Sequence, residues 1–117
     1  VIAVAAILCG ALGAVTRFIV DAAVRPRVIF PLATLFINIT GSALLGVLAG
    51  LVMFHGAPSA VTTIIGTGFC GGYTTFSTAS LETMTLARER RQWRSVAYAV
   101  VSVVGSVLAC AAGMLLV

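Results

Sequence analysis

Charge is what this sequence has least of. Only 9% of its 117 residues are charged, where a soluble domain carries roughly a quarter, and 61% are hydrophobic. That balance excludes a soluble domain and places the chain in a membrane. Lysine is missing, so all seven basic residues are arginines. Cys9, Cys70 and Cys110 stand singly in apolar surroundings, and His55 is the one histidine. No CxxC or Cys/His spacing exists, which removes a disulfide framework and a side-chain metal centre. There are no long loops, no glycine-rich phosphate motif and no nucleophile–base pair, so the sequence offers no chemistry for an enzyme.

What is present is four apolar runs with short polar connections. Residues 1 to about 23, 31–54, 59–88 and 95–117 are each long enough for a bilayer crossing, which takes roughly 20 residues. They predict one all-α transmembrane domain over residues 1–117, multi-pass in the cell (inner) membrane. The first run reads as a span rather than a signal peptide. Arg25-Pro26-Arg27 is a connection, Pro31 suits the first turn of the second helix, and His55 to Ser59 is a short turn.

The third run carries the anomaly. From Gly66 to Glu82 it combines four glycines with a series of hydroxyl side chains. Glycine pairs weaken a helix and hydroxyls compete for its backbone bonds, so the helix should break near residues 71–75 and resume from about Phe76. In hydrocarbon, freed backbone groups must meet protein, water or an ion, which makes a broken membrane helix a pointer to a binding site. A simple kink that admits a neighbouring helix is the plainer reading of the glycines.

Polar stripes run along two other spans. Thr34, Asn38, Ser42, Gly46 and Gly50 step by four in the second, and Tyr98, Ser102, Ser106 and Cys110 do so in the fourth. Asn38 lies seven residues beyond Pro31, roughly 10 Å along a helix, where its amide must find a partner. That partner is either an interhelical hydrogen bond or the lining of a site. Arg17 is expected to snorkel and pair with Asp21, or to contact an ion. Glu82, an intramembrane carboxylate, is a functional candidate by default; its alternative is a salt bridge to Arg17 or a loop arginine. Hydroxyl hydrogens, amide N–H groups and aromatic edges suit a small anion, whereas carbonyls freed at a break suit a cation.

The run Gly68-Phe69-Cys70-Gly71-Gly72-Tyr73-Thr74-Thr75-Phe76-Ser77-Thr78 resembles the signature of the small bacterial fluoride channels of the Fluc, or CrcB, type. Arg17, Asn38 with Gly41, and Tyr98, Ser102 and Ser106 match that family in type and spacing. The resemblance implies a passive fluoride-selective channel that protects the cell by exporting fluoride. It implies an antiparallel dimer of four-helix subunits, two pores at the interface, and a structural sodium ion on the two-fold axis. Backbone carbonyls of Gly71 and Thr74 would hold the sodium. Asn38, Phe76, Ser77 and Thr78 would line the fluoride path, continued by Tyr98, Ser102 and Ser106. Ala79 departs from the pattern, since the family commonly has a second phenylalanine there. A small multidrug-resistance exporter is the alternative, but it needs a carboxylate in the first helix, and residues 1–16 contain none. A purely structural subunit would explain the stripes and not the polar residues at the break.

Charge distribution bears on the partner. Four spans place Arg25 and Arg27 on the same side as Arg88, Arg90, Arg91 and Arg94, while the other side has His55 and no Lys or Arg. The positive-inside rule then predicts one fixed orientation, with the arginine loops cytoplasmic. An inverted homodimer needs both orientations, so the bias, together with Ala79, favours an inverted paralogue as partner, with an inverted homodimer as the alternative.

Overall fold

The computed structural model describes residues 1–117, and every regular element is helical. Helix α1 spans Ile2–Val24 and runs into a 3-10 turn, Arg25–Arg27; α2 spans Leu32–His55. The third span begins with α3, Ser59–Val61, widens into a π-helix over Thr62–Cys70, and closes with α4, Gly71–Tyr73. After a break, α5 covers Ser77–Arg88 and α6 covers Gln92–Leu115. The chain through Arg27 from Ile2, α2 and α6 are each long and apolar enough to cross a bilayer; the broken segment supplies the bent third helix.

The observed ends fall close to the expected ones, with two informative differences. Helix α6 starts three residues before the predicted 95, at Gln92, because a helix can continue past the hydrocarbon into the headgroup region, where Gln92 and Arg94 are solvated. The break is later than expected. Gly71 to Tyr73 remain helical, and only Thr74, Thr75 and Phe76 lie outside the helices. The loosening of the third span is instead upstream, in the wide π turns, which are rare and usually brief.

Two parallel helix pairs build the bundle, and glycines set their spacing. Along α1 and the third span, a Cβ on Gly68 would lie 2.6 Å from the Ala6 carbonyl oxygen, and one on Gly72 or Gly13 would collide with the backbone of Gly10 or Phe69. Along α2 and α6, a Cβ on Gly46 would strike the Cys110 carbonyl and one on Gly113 the Ala43 carbonyl. Lipid tails are as apolar as leucine, so close backbone packing of this kind is what holds membrane helices together. The glycine half of the α2 stripe, Gly46 and Gly50, is therefore a helix–helix seam with α6. Only the hydroxyl half is left to line a site.

The connections are as local as the spacing implies. Helix α2 stops where Gly56 takes the left-handed conformation, φ 69°, with the Ala57 N–H donating to the Leu51 carbonyl at 3.1 Å. Helix α5 ends at Arg88, and the turn after it holds Arg90 in the left-handed conformation at φ 59°. Ser95 Oγ, donating to the Thr83 carbonyl at 2.8 Å, ties the start of α6 back to α5.

Candidate functional site: a polar groove at the helix break

The break is organised by two side chains. Asn38 of α2 pairs with both backbone polar groups of Thr75: its Nδ2 donates to the Thr75 carbonyl at 2.8 Å, and its Oδ1 accepts the Thr75 N–H at 2.8 Å. Thr75 Oγ1 in turn accepts the Thr78 N–H at 3.1 Å, the bond that an N-cap makes at the start of a helix. Gly41 clears the space for this turn, since a Cβ there would run into the Thr74 methyl group, and Tyr73 is pinned beside it by a 2.9 Å hydrogen bond shared with Thr40. The amide of Asn38 thus makes the interhelical bond that its depth demanded.

These bonds leave carbonyls bare. In a continuous helix the Gly71 carbonyl would accept the Thr75 N–H and the Thr74 carbonyl the Thr78 N–H, and both donors are engaged elsewhere. Thr74 is extended, with ψ 160°, and its carbonyl accepts no hydrogen bond. Gly71 has open space on its side-chain face. Both residues border the groove described next. Two hard oxygens without partners are the donor type that a monovalent cation requires, and no cluster of His, Cys, Asp or Glu offers a competing site.

Beside the break the surface opens into a groove of about 810 Å³. Asn38, Gly71, Thr74, Phe76, Ser102 and Ser106 of the expected site border it. Ser42, Thr67, Thr75, Ser80 and Thr83 add polar atoms that the sequence reading had not assigned to a site; Ser42 and Thr75 were visible as members of the stripe and the signature. The Ser102 hydroxyl is buried and has no hydrogen-bond partner, in a protein where several threonines bond back to the carbonyl four residues earlier. Phe76 is 87% exposed, so its ring rests on nothing in its own chain. Ala79 also borders the groove, and no second ring lies there.

The other expected residues lie away from the groove. Ser77 and Thr78 begin α5, where Ser77 is exposed and Thr78 half-buried. Tyr98 is buried toward the arginine end and donates to Glu82 at 3.3 Å. Glu82 is only 6% exposed, and its second oxygen accepts from Arg25 at 3.2 Å, so the loop-arginine alternative is the one realised. Arg25 also binds Asp21 at 2.7 Å and reaches Thr34 at 3.5 Å.

That corrects the expected pairing of Arg17 with Asp21. Asp21 is four residues from both arginines, and it takes Arg25 for two reasons. An acidic residue four positions before a basic one is the better order on a helix, and a cation is favoured at the C-terminal end of α1. Arg17 remains half-exposed on α1, outside the groove.

Apolar spans and a bent third helix define a multi-pass membrane protein, with a groove of unpartnered polar atoms beside the break. Comparison with known proteins identifies its relatives. Residues 4–114 match the family described as "CrcB-like protein, Camphor Resistance (CrcB)", and the chain belongs to that family. It is 49% identical over 92 residues to "Fluoride-specific ion channel FluC 1" of Leifsonia xyli subsp. xyli, covering 77% of this chain and 67% of that one. It is 50% identical over 99 residues to "Fluoride-specific ion channel FluC 2" of Mycobacterium bovis, covering 83% and 75%. Against "Fluoride-specific ion channel FluC" of Nitrobacter winogradskyi it is 44% identical over 113 residues, covering 92% and 88%.

Proposed function

We propose that this chain is a subunit of a passive fluoride-selective channel that lets a bacterial cell shed fluoride. The observation that carries the reading is the buried, unpartnered Ser102 hydroxyl at the groove, in a chain whose relatives bear fluoride-channel names. A small anion gives up strongly bound water on entering a narrow path, and only closely placed donors can replace it. Ser102 and Ser106 supply hydroxyls, Asn38 has one amide hydrogen beyond the one given to Thr75, and Phe76 offers a ring edge. Ser77, Thr78 and Tyr98 extend the track toward its ends. Glu82, held between Arg25 and Tyr98, lacks the free carboxylate that a proton-coupled cation exporter needs.

The groove also supports a second subunit. Lipid cannot satisfy hydroxyls and carbonyls, so a partner covers them, and an inverted four-helix chain would bring a second pair of Gly71 and Thr74 carbonyls to a shared sodium ion. Such an ion holds the two subunits together. That inverted chain is a paralogue or a second copy, and the connections favour the paralogue: Arg25 meets α5 at the end of the bundle where Arg88, Arg90, Arg91 and Arg94 follow, whereas the connection Gly56 to Pro58 at the other end has no Lys or Arg.

The test is fluoride release from proteoliposomes, followed with a fluoride electrode. Release with little chloride movement is expected once both subunits are present. Proton-driven uptake of an organic cation without fluoride release would instead establish the exporter. C-terminal reporters on the chain expressed alone decide the partner. One orientation is expected; both orientations together with fluoride release from the purified chain would mean a homodimer.

A further inference from the structure

The two carbonyls proposed to face sodium are bare for a reason internal to this chain. Each has lost its i+4 donor to a side-chain oxygen. The Thr75 N–H goes to Asn38 Oδ1 at 2.8 Å rather than to the Gly71 carbonyl, and the Thr78 N–H goes to Thr75 Oγ1 at 3.1 Å rather than to the Thr74 carbonyl. We infer that Asn38 and Thr75 are positioning residues for the cation site: their side chains divert the helical donors and so keep the Gly71 and Thr74 carbonyls free. The inference rests on the sodium reading above and explains how the sequence makes room for the ion.

The geometry makes the diversion firm. Asn38 holds the two successive peptides on either side of the Thr75 Cα, one by its N–H and the other by its C=O, so Thr75 cannot return to helical geometry without breaking two bonds. Thr75 is 8% exposed, and a buried oxygen that loses its donor has no water to turn to. If either acceptor is removed, the freed N–H is one turn from the carbonyl that a helix would give it. The helix then closes over the break, and the carbonyl is withdrawn from the ion. Asn38 accordingly has two tasks, one toward the anion path and one toward the cation. Thr75 Oγ1 also meets Ser77 Oγ at 3.4 Å, so the position is tested by sodium-dependent stability, which the anion path does not set.

The experiment measures how sodium stabilises the purified channel against thermal unfolding, with N-methyl-D-glucamine as the replacing cation. Thr75→Val keeps the shape and removes the acceptor oxygen, while Thr75→Ser restores the oxygen. The expected result is that Thr75→Val raises the half-stabilising sodium concentration by more than about tenfold, and Thr75→Ser stays within about threefold of the wild type. An unchanged sodium midpoint in Thr75→Val, or an equal loss in Thr75→Ser, overturns the inference and leaves the sodium reading standing. A wild type indifferent to sodium overturns both. Should Thr75→Val not fold, amide exchange in the wild type without sodium gives a second measurement. Slow exchange at Thr75 and Thr78 is expected, and exchange there as fast as in the loops overturns the inference.

Discussion

Gly71 and Gly72 are neighbours on one turn of helix, and they face opposite halves of the molecule. A Cβ on Gly72 would collide with the Gly10 carbonyl of α1, whereas one on Gly71 would meet nothing. The α1 side of the third span is a closed seam in which side chains are absent so that backbones can touch. The groove side is open, and there the glycine matters for the carbonyl it exposes. One residue type thus serves close packing at one position and access at the next. A glycine-rich run in a membrane helix has to be read residue by residue.

The largest expected effect breaks the closed side. Gly72→Val places three carbons where the Gly10 backbone lies, and overpacking of this kind costs about 1–3 kcal/mol, occasionally more. The variant should lose most of its folded yield after extraction, measured by size-exclusion chromatography. Gly71→Ala is the contrasting variant. Its backbone is ordinary helix, φ −62° and ψ −39°, and alanine is favoured over glycine in a helix by about 1 kcal/mol, so the subunit should fold as well as the wild type. If Gly71→Ala lost yield as badly as Gly72→Val, the distinction between the two faces would be wrong.

A second prediction compares the two polar regions by whether their groups are already used. At the arginine end Glu82 is engaged by Arg25 and Tyr98. Arg25→Ala leaves that buried carboxylate unpaired. A fully buried pair would cost about 3–5 kcal/mol when broken, and the partial exposure of Arg25 reduces this to roughly 2–3 kcal/mol. Adding Glu82→Gln should recover most of the loss, as read by thermal unfolding in detergent. No recovery in the double variant would show that Arg25 acts on something other than Glu82.

The smallest stability effect is expected in the groove. Ser102→Ala deletes a hydroxyl that has no partner, so stability should change by less than about 1 kcal/mol. Fluoride flux from proteoliposomes should nevertheless fall by about tenfold or more, since one lost donor to a bare anion is worth at least about 1.4 kcal/mol. An intact flux would remove Ser102 from the path. A large loss of stability would mean that its hydroxyl is structural after all.

The sequence by itself determined the class and the four spans and marked the third span as the one that breaks, because these depend on local properties. Charge scarcity, run length and glycine content act within one turn or one span. It also placed Asn38, Ser102 and Ser106 on polar faces, since a step of four residues fixes a side of a helix whatever surrounds it. The tertiary structure decided what each face meets. The spacing by four joined Gly46 and Gly50 to Asn38 and Ser42, and only the approach of α6 separated a seam from a groove lining. Asp21 had two arginines at equal distance along the chain, and helix order and dipole favoured Arg25; that Arg25 also meets Glu82, 57 residues further on, was decided only by the packing. The bare carbonyl at Gly71 likewise depends on Asn38 meeting Thr75 across 37 residues of chain. A helix breaks there because a competing acceptor is delivered by another helix, and no local pattern records which oxygen will arrive.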